Sequence, residues 1–290
     1  MFGVRQDKPK LSDYCGAFRQ GAGTLPASYR LPKECIPDCR DQGSVSSCVG
    51  FAVTNIMQIL NQKETGKRLR FSAGYVYGRC RDEGDSYQGM FPRKTLDYLR
   101  KTGACEERDF PDNVEMPEIR RRVLSRPDLD EKAAPYRIRG YEIYNQAEAG
   151  KKTESIKRAL YETGTPVLVS TLAYGEPHAV CIIGWDDERK QYEIMNSWGD
   201  TAGDGGICRI PYNSIDWGYL LLDEKNGARL MPFLDVAKDT WYYGAVEKVY
   251  NTGLMKGKSE TTFEPDKPMT RAEMAQVLSN LLAKLDGGGA

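Results

Sequence analysis

The feature that most constrains the fold of this chain is an almost uninterrupted apolar segment at residues 49–62, VGFAVTNIMQILNQ. Apolar side chains occur there on more than one side of a helix, with Ala52 and Ile56 on one side and Val53 on another. A helix that is apolar nearly all round lies inside a core. The segment therefore predicts a central buried helix, preceded by a small polar stretch that ends at Cys48.

The composition is that of a folded protein. The 290 residues, 40% of them apolar, suffice for one large or two ordinary domains. The 41 Lys and Arg equal the 41 Asp and Glu, so no net field attracts nucleic acid. No run approaches the roughly 18 apolar residues of a membrane span. The first residues lack the apolar stretch of a signal peptide, so we expect no export signal in this sequence.

Further along the chain, the patterns change from helical to β-like. Residues 93–102 and 153–164 predict helices, and the alternation at 136–144 predicts a strand. Three more strands are predicted from PVLVSTL, HAVCIIGW and YEIMNSW. The charged, Pro-interrupted residues 106–135 suggest an exposed connection between two halves. Helices first and strands later favour an α+β enzyme body in two lobes.

A separate unit is expected from about Pro232. It contains a predicted helix around WYYGAVEKVYN and a second one from Arg271 to Leu285, where Thr270 and Glu273 have the spacing of a capping box. The predicted organisation is an N-terminal arm (1–24), an enzyme body (25–230), a small helical unit (231–286) and a Gly-rich tail (287–290).

Four polar residues form a candidate site for nucleophilic catalysis. Cys48 is expected in the first turn of the buried helix, where unpaired N–H groups and the helix dipole favour thiolate. His178 is the chain's single histidine and thus its one imidazole for proton transfer near neutral pH. Asn196 follows a predicted strand and could hold that imidazole, and Gln42 could help the Cys48 N–H stabilise an oxyanion.

The eight cysteines show no CxxC pair, so they indicate neither a zinc ribbon nor a thioredoxin-type site. Eight in 290 residues are also too dilute for a scaffold held by disulfides. Cys35 and Cys39 are expected to be structural or free rather than metal ligands. No metal or cofactor is expected.

These residues together resemble the papain family of cysteine peptidases. His178 and Asn196 follow Cys48 by 130 and 148 residues, separations similar to the family's. The resemblance runs through QGSVSSC, PHAVCIIGW, NSWG and GDGGICRI over about residues 25–230. It implies a papain-like fold with a helical left lobe and an antiparallel, barrel-like right lobe. It also implies a Cys48 nucleophile, a His178 base and acid, an Asn196 orienter and a Gln42 oxyanion donor.

The same resemblance implies binding residues and shows departures. Trp198 would shield the hydrogen bond between Asn196 and His178, and Gly89 and Met90 stand where a glycine pair usually lines the substrate cleft. Ala202 stands where the family usually has an aromatic residue, and Val49 replaces the aromatic after the nucleophile. Tyr87 stands where a disulfide cysteine would align. The connection AYGEP before the histidine is short, and the 24-residue arm is too short for an inhibitory propeptide.

The C-terminal unit resembles one S-layer homology repeat, through FLDV, WYYGAV, GLMKG, FEP and TRAEMAQVL. This resemblance implies non-covalent attachment to secondary cell-wall polysaccharide of bacteria, with Arg271 contacting an acidic glycan through its rigid fork. It suggests a cell-surface or extracellular location. Family members generally use three repeats, so a single repeat implies self-association or another use. The alternative for Arg271 is simply the start of a helix.

Three functions stay open at this point. The first is a cysteine endopeptidase acting on proteins or peptides, and the second is a Cys/His amidase acting on wall peptides. The third is an inactive adhesion or assembly protein, for which Cys48 is a small core residue and His178 an ordinary strand residue.

Overall fold

The computed structural model describes residues 4–5, 24–81, 89–112, 118–144, 149–222, 233, 235–237, 240–251, 254–259 and 262–286. The chain divides into two compact units, residues 1–226 and 227–290. Among the described residues, no helix combines the length and the apolar character needed to cross a membrane. The boundary predicted at residue 230 stays a prediction.

The first half of the larger unit is mainly helical. After the short strand β1 (Ser28–Arg30), its helices are α1 (Cys48–Thr65), α2 (Ala73–Cys80), α3 (Pro92–Lys101), α4 (Glu118–Leu124) and α5 (Asp128–Ala133). Every residue of α1 from Cys48 to Met57 is buried, as the apolar pattern predicts. Gly66 ends α1 in the left-handed conformation, and its N–H donates to the Gln62 carbonyl.

The prediction of an exposed connection at residues 106–135 is wrong. Helices α4 and α5 lie in this stretch, and they bury Ile119, Val123 and Leu129. The four-residue spacing of Ile119 and Val123 puts both on one side of a short helix, while the intervening arginines stay outside. The apolar pattern of these helices is only one or two turns long, and the many charged residues around it favoured the prediction of an exposed connection.

The second half of this unit is an antiparallel sheet together with one more helix, α6 (Ala149–Thr163). Its strands are β2 (Gly140–Tyr144), β3 (Val167–Thr171), β4 (His178–Asp186), β5 (Gln191–Met195), β6 (Ile207–Pro211) and β7 (Ile215–Leu222). Within the described residues the sheet is seven-stranded in the order β2-β7-β3-β4-β5-β6, and β1 also pairs with β4. The α+β fold class is thus confirmed.

Two strand predictions need correction. The strand predicted at residues 136–144 is shorter, because residues 134–136 form a 3-10 turn and β2 begins at Gly140. The strands β6 and β7 were not predicted. β6 is only partly buried, and its side chains lack a clear alternation of apolar and polar residues.

Helix α1 packs against β4, and one hydrogen bond joins them directly. The Cys181 thiol on β4 donates to the Ala52 carbonyl on α1 at 3.1 Å. Ala52 lies one turn after Cys48, and Cys181 lies three residues after His178. The fold therefore brings together the two elements that begin with the candidate nucleophile and the candidate base.

The smaller unit contains α7 (Tyr243–Asn251) and α8 (Arg271–Asp286). Phe233, Val236 and Val246 form its small core. The predicted capping box is present at the start of α8, where Thr270 N donates to Glu273 Oε2 at 2.8 Å and Glu273 N donates to Thr270 Oγ1 at 3.2 Å. Two apolar side chains of α8, Met274 and Leu278, are about half exposed, at 48% and 51%.

Candidate active site

Cys48 is the first residue of α1 and is fully buried. It is preceded by a polar turn whose backbone bonds, Val45 N to Gln42 O at 3.3 Å and Ser47 N to Val45 O at 2.8 Å, bring the chain into the helix. Backbone N–H groups at a helix N-terminus have no intrahelical partners, and they stabilise negative charge nearby. The position is suited to a thiolate nucleophile.

His178 and Asn196 are in direct contact. His178 opens β4, Asn196 directly follows β5, and the pairing of these strands brings the two side chains together. His178 Nε2 lies 2.8 Å from Asn196 Oδ1, and both side chains are buried. The structure therefore brings together two of the four predicted catalytic residues as the resemblance implied.

The orientation of the Asn196 amide determines which imidazole nitrogen carries the proton. Asn196 Oδ1 also accepts from Ser197 N at 2.8 Å, and Asn196 Nδ2 lies 3.9 Å from Cys208 Sγ. The oxygen thus faces His178 as an acceptor, so Nε2 is the donor in the neutral ring. The lone pair of that tautomer is on Nδ1, the nitrogen suited to take a proton from a nucleophile.

The backbone of Asn196 is held as well. Its N–H donates to the Gly206 carbonyl at 3.1 Å, and its own carbonyl accepts from the Cys39 thiol at 3.0 Å. Gly206 has φ +86°, and a Cβ there would lie 2.1 Å from the Cys39 Cβ. Only glycine meets both requirements. Cys39 and Gly206 therefore pack closely where Asn196 leaves the sheet.

Aromatic rings surround the imidazole. Trp198 stacks on His178 with ring centroids 4.7 Å apart and an angle of 18° between the planes. Tyr174 meets Trp198 edge-on at 4.8 Å and His178 at 5.7 Å. Burial lowers the pKa of His178 to about 4, and the Asn196 hydrogen bond opposes this shift in part. The imidazole is therefore neutral at pH 7 when no thiolate lies beside it.

Gln42 is held against the segment that carries Asn196. Its backbone N–H donates to the Ser197 carbonyl at 2.8 Å, and the Ser197 hydroxyl donates to its side-chain Oε1. Its Nε2 donates to the Val45 carbonyl at 2.7 Å. These bonds direct the amide nitrogen toward the turn before Cys48. An N–H donor on that side is what an oxyanion near Cys48 needs.

A buried arginine that the sequence analysis missed holds the chain just before Gln42. Arg40 is 5% exposed and pairs with Asp112 at 2.9 Å. Its guanidinium also donates to the Phe71 carbonyl at 2.9 Å and to Asn55 Oδ1 at 3.0 Å. Nothing in the local pattern of PDCRDQG predicts a buried arginine, because its partners lie on distant segments.

The chain's own N-terminal residues pair with the predicted substrate wall. Gly89 and Met90 are buried. Val4 forms a parallel bridge with Met90, and Arg5 N donates to the Met90 carbonyl at 2.8 Å. Met90 is also bridged to Arg81. The sequence, from which we expected only an arm too short for an inhibitory propeptide, gave no indication of this pairing at the backbone of Met90.

Other predicted positions are less informative. Tyr87, expected at a disulfide position, lies outside the described residues. The described cysteines are unbridged, including Cys35 and Cys39. Arg271 is the first residue of α8 and is exposed, which fits both a glycan contact and a simple helix start.

Two family models match this chain. Residues 25–218 match the model of the papain family of cysteine proteases, and residues 232–275 match the S-layer homology domain. A cysteine protease of Blomia tropicalis is 23% identical over 223 residues, 67% of this chain and 64% of its own length. The cysteine protease Amb a 11.0101 of Ambrosia artemisiifolia is 24% identical over 61% of this chain and 48% of its own. The chain thus spans less than two thirds of either relative.

Solved structures show the same fold. Xylellain, a cysteine protease from Xylella fastidiosa, superposes with a TM-score of 0.62 at 19% identity, over 77% of this chain and 96% of its own. The Carica candamarcensis cysteine protease CMS1MS2, in complex with E-64, has a TM-score of 0.54 at 20% identity over 69% of this chain and all of its own.

A further sequence relative is the surface-layer 125 kDa protein of Lysinibacillus sphaericus, which is 40% identical over 57 residues, 20% of this chain and 5% of its own.

The chain belongs to the papain family of cysteine proteases, and it carries an S-layer homology domain.

Proposed function

We propose that this chain is a cysteine endopeptidase, with Cys48 as nucleophile, His178 as general base and acid, Asn196 as the residue that orients the imidazole, and Gln42 as oxyanion donor. The observation that carries the proposal is the bond from His178 Nε2 to Asn196 Oδ1 at 2.8 Å, at the start of the strand that packs on the Cys48 helix. It fits catalysis because the bond leaves Nδ1 with the lone pair.

Acylation would begin with proton transfer from Cys48 Sγ to His178 Nδ1. The thiolate attacks the peptide carbonyl, and the Sγ–C bond forms as the carbonyl electrons move to oxygen. The imidazolium then protonates the leaving amine as the C–N bond breaks, which produces a thioester. Burial keeps the imidazole neutral until the thiolate forms, and the thiolate's own charge stabilises the imidazolium that results.

Deacylation would use the same base. His178 takes a proton from water, the resulting hydroxide attacks the thioester, and Cys48 leaves as thiolate and is reprotonated. Oxygen carries negative charge in both tetrahedral intermediates. We assign its stabilisation to the Cys48 backbone N–H and Gln42 Nε2, whose amide is held by Ser197 and Val45.

Turnover of a denatured protein tests this proposal directly. Wild-type chain is expected to degrade denatured casein, whereas Cys48→Ala and His178→Ala are inactive with unchanged far-UV circular dichroism. The matched control is Cys35→Ala, which removes another unbridged thiol, half-buried and outside the proposed catalytic set, and should keep full activity. Equal casein degradation by wild type and Cys48→Ala would overturn the proposal.

The same comparison on purified peptidoglycan separates the other functions. Cys48-dependent release of wall peptides without casein cleavage would identify an amidase. Absence of both activities would favour an inactive adhesion or assembly protein. We favour the peptidase because Gln42 and the NSWG segment belong to the papain pattern, and they form one hydrogen-bonded unit with the Asn196–His178 pair.

We propose further that the S-layer homology domain associates the enzyme with a bacterial surface through acidic wall polysaccharide. The exposed Arg271 at the start of α8 offers a planar fork for a carboxylate. Arg271→Ala should reduce the amount of the full chain that sediments with purified wall polysaccharide. Arg271→Lys should give an intermediate amount, between those of Arg271→Ala and the wild type. An exposed lysine of the same domain, Lys256, provides the control substitution Lys256→Ala.

Self-association through this domain is also proposed. Met274, Leu278 and Leu282 on α8 are 48%, 51% and 59% exposed, so one side of the helix presents apolar surface. Sedimentation velocity of the full chain should show a concentration-dependent oligomer that Leu278→Glu converts to monomer. A chain that is monomeric at all concentrations would exclude this role.

A further inference from the structure

Tyr174 lies in the short connection between β3 and β4, a segment that the sequence analysis marked only for its length. The connection is held by backbone bonds from Leu172 N to Ser214 O at 2.9 Å and from Gly175 N to Leu172 O at 3.0 Å. Ala173 N also donates to Thr171 Oγ1 at 3.1 Å. Leu172, Ala173, Gly175 and Glu176 are exposed, whereas Tyr174 is half-buried. The turn thus directs this one ring inward.

The ring contacts both aromatic members of the candidate site. It meets Trp198 at 4.8 Å with an angle of 66°, and His178 at 5.7 Å with an angle of 78°. Edge-to-face contacts at these distances are favourable for aromatic pairs. Trp198 covers a face of the imidazole in a parallel stack, and Tyr174 approaches both rings at a steep angle. The two rings therefore cover different sides of His178.

The hydroxyl of Tyr174 lies close to the other end of the hydrogen-bonded pair. It interacts with the side chains of Cys208 and Asn196, and burial raises the pKa of Tyr174, so the hydroxyl is neutral. Cys208 Sγ itself lies 3.9 Å from Asn196 Nδ2. One side chain thus borders the imidazole, the indole that stacks on it and the amide that orients it.

We propose that Tyr174 is a positioning residue that keeps water from the His178–Asn196 hydrogen bond and holds the imidazole against Trp198. Besides Trp198, the ring that contacts His178 comes from the short β3–β4 connection, and Ala202 beside NSWG carries no ring. The catalytic part of this inference rests on the proposed function, whereas the exclusion of water from the imidazole by Tyr174 does not.

The test uses the fact that His178 is the chain's single histidine, so one imidazole signal in a histidine NMR spectrum belongs to it. In the full chain with Cys48→Ala, which removes the thiolate, His178 should titrate with a pKa of about 4. Tyr174→Leu removes the ring and keeps apolar volume. It should raise the His178 pKa by about one pH unit toward its usual value, because water reaches the imidazole.

Two variants separate the ring from other effects. Tyr174→Phe keeps the ring and should leave the His178 titration near that of the parent. Leu172→Ala changes an exposed residue of the same turn and should also leave it unchanged. If Tyr174→Leu does not fold by circular dichroism, Tyr174→Met replaces it. An unchanged pKa without the ring would overturn the proposal. So would an equal shift in Tyr174→Phe or in Leu172→Ala.

Kinetics then test the link to catalysis. With Cys48 present, Tyr174→Leu should lower kcat about tenfold with KM changed less than about twofold, because the loosened imidazole affects chemistry more than substrate binding. If the parent chain shows no Cys48-dependent cleavage, the proposed function is refuted. The His178 pKa measured by NMR would still decide whether Tyr174 keeps water from the imidazole. A shifted pKa with unchanged kcat would overturn the positioning role.

Discussion

The buried imidazole of His178 should make the stability of the protein depend on pH in a defined way. Burial lowers the pKa of His178 to about 4, against about 6.5 for an exposed histidine. The gap corresponds to about 3 kcal/mol between the two protonation states. The perturbation is His178→Gln, made in a Cys48→Ala background so that no thiolate stabilises the imidazolium and no self-cleavage occurs.

The sign follows from proton binding in the two states. Above pH 6.5 the ring is neutral in both states and contributes nothing to the pH dependence. As the pH falls through 6.5 the unfolded chain binds a proton that the native protein does not bind until about pH 4. Stability therefore falls with decreasing pH over this window, by up to about 3 kcal/mol, and the contribution is constant below it.

Urea unfolding followed by circular dichroism at pH 7.5 and pH 4 measures this difference. Carboxylates titrate equally in both variants and cancel. Between the two pH values, the free energy of unfolding of the chain with His178 should fall by about 2–3 kcal/mol more than that of His178→Gln. Equal losses, within about 0.5 kcal/mol, would show that the imidazole is solvated in the folded protein, and they would refute the closed site described above.

Three further predictions concern the residues around the site. Gln42→Ala should lower kcat by roughly 10² to 10³ with little change in KM, as for loss of an oxyanion donor; a change in KM alone would contradict that role. Arg40→Leu should lower the free energy of unfolding in urea by about 3–5 kcal/mol, because it leaves Asp112 buried without its main partner; a loss under about 1 kcal/mol would be inconsistent with the buried pair. Arg5→Pro removes the N–H that donates to the Met90 carbonyl, and it should lower KM about threefold at constant kcat if the N-terminal residues compete with substrate; an unchanged KM would exclude competition.

The sequence was sufficient to predict the central helix and to single out candidate residues for the site, for identifiable reasons. Helix α1 was predictable because its apolar pattern is long. Cys48 and His178 stood out because a helix start and a single histidine are visible locally. The candidate site could therefore be recognised from a few rare residues that occur in a characteristic order.

The parts that could not be predicted depend on contacts between distant segments. Arg40 is recognisable as a buried anchor only once Asp112 is beside it. Tyr174 becomes informative only when the β3–β4 turn places it on Trp198. The short helices α4 and α5 were hidden by their charge, and the pairing of Val4 with Met90 has no local signal at all.

Site-specific labelling tests the central claim, that Cys48 and His178 act as a nucleophile and its base. The full chain is incubated with the epoxide E-64 at mildly acidic pH, and the modified cysteine is located by peptide mass spectrometry. The account predicts one adduct, on Cys48, formed at least about tenfold more slowly in His178→Gln. Labelling of another cysteine in preference to Cys48, or an equal rate without the imidazole, would contradict it.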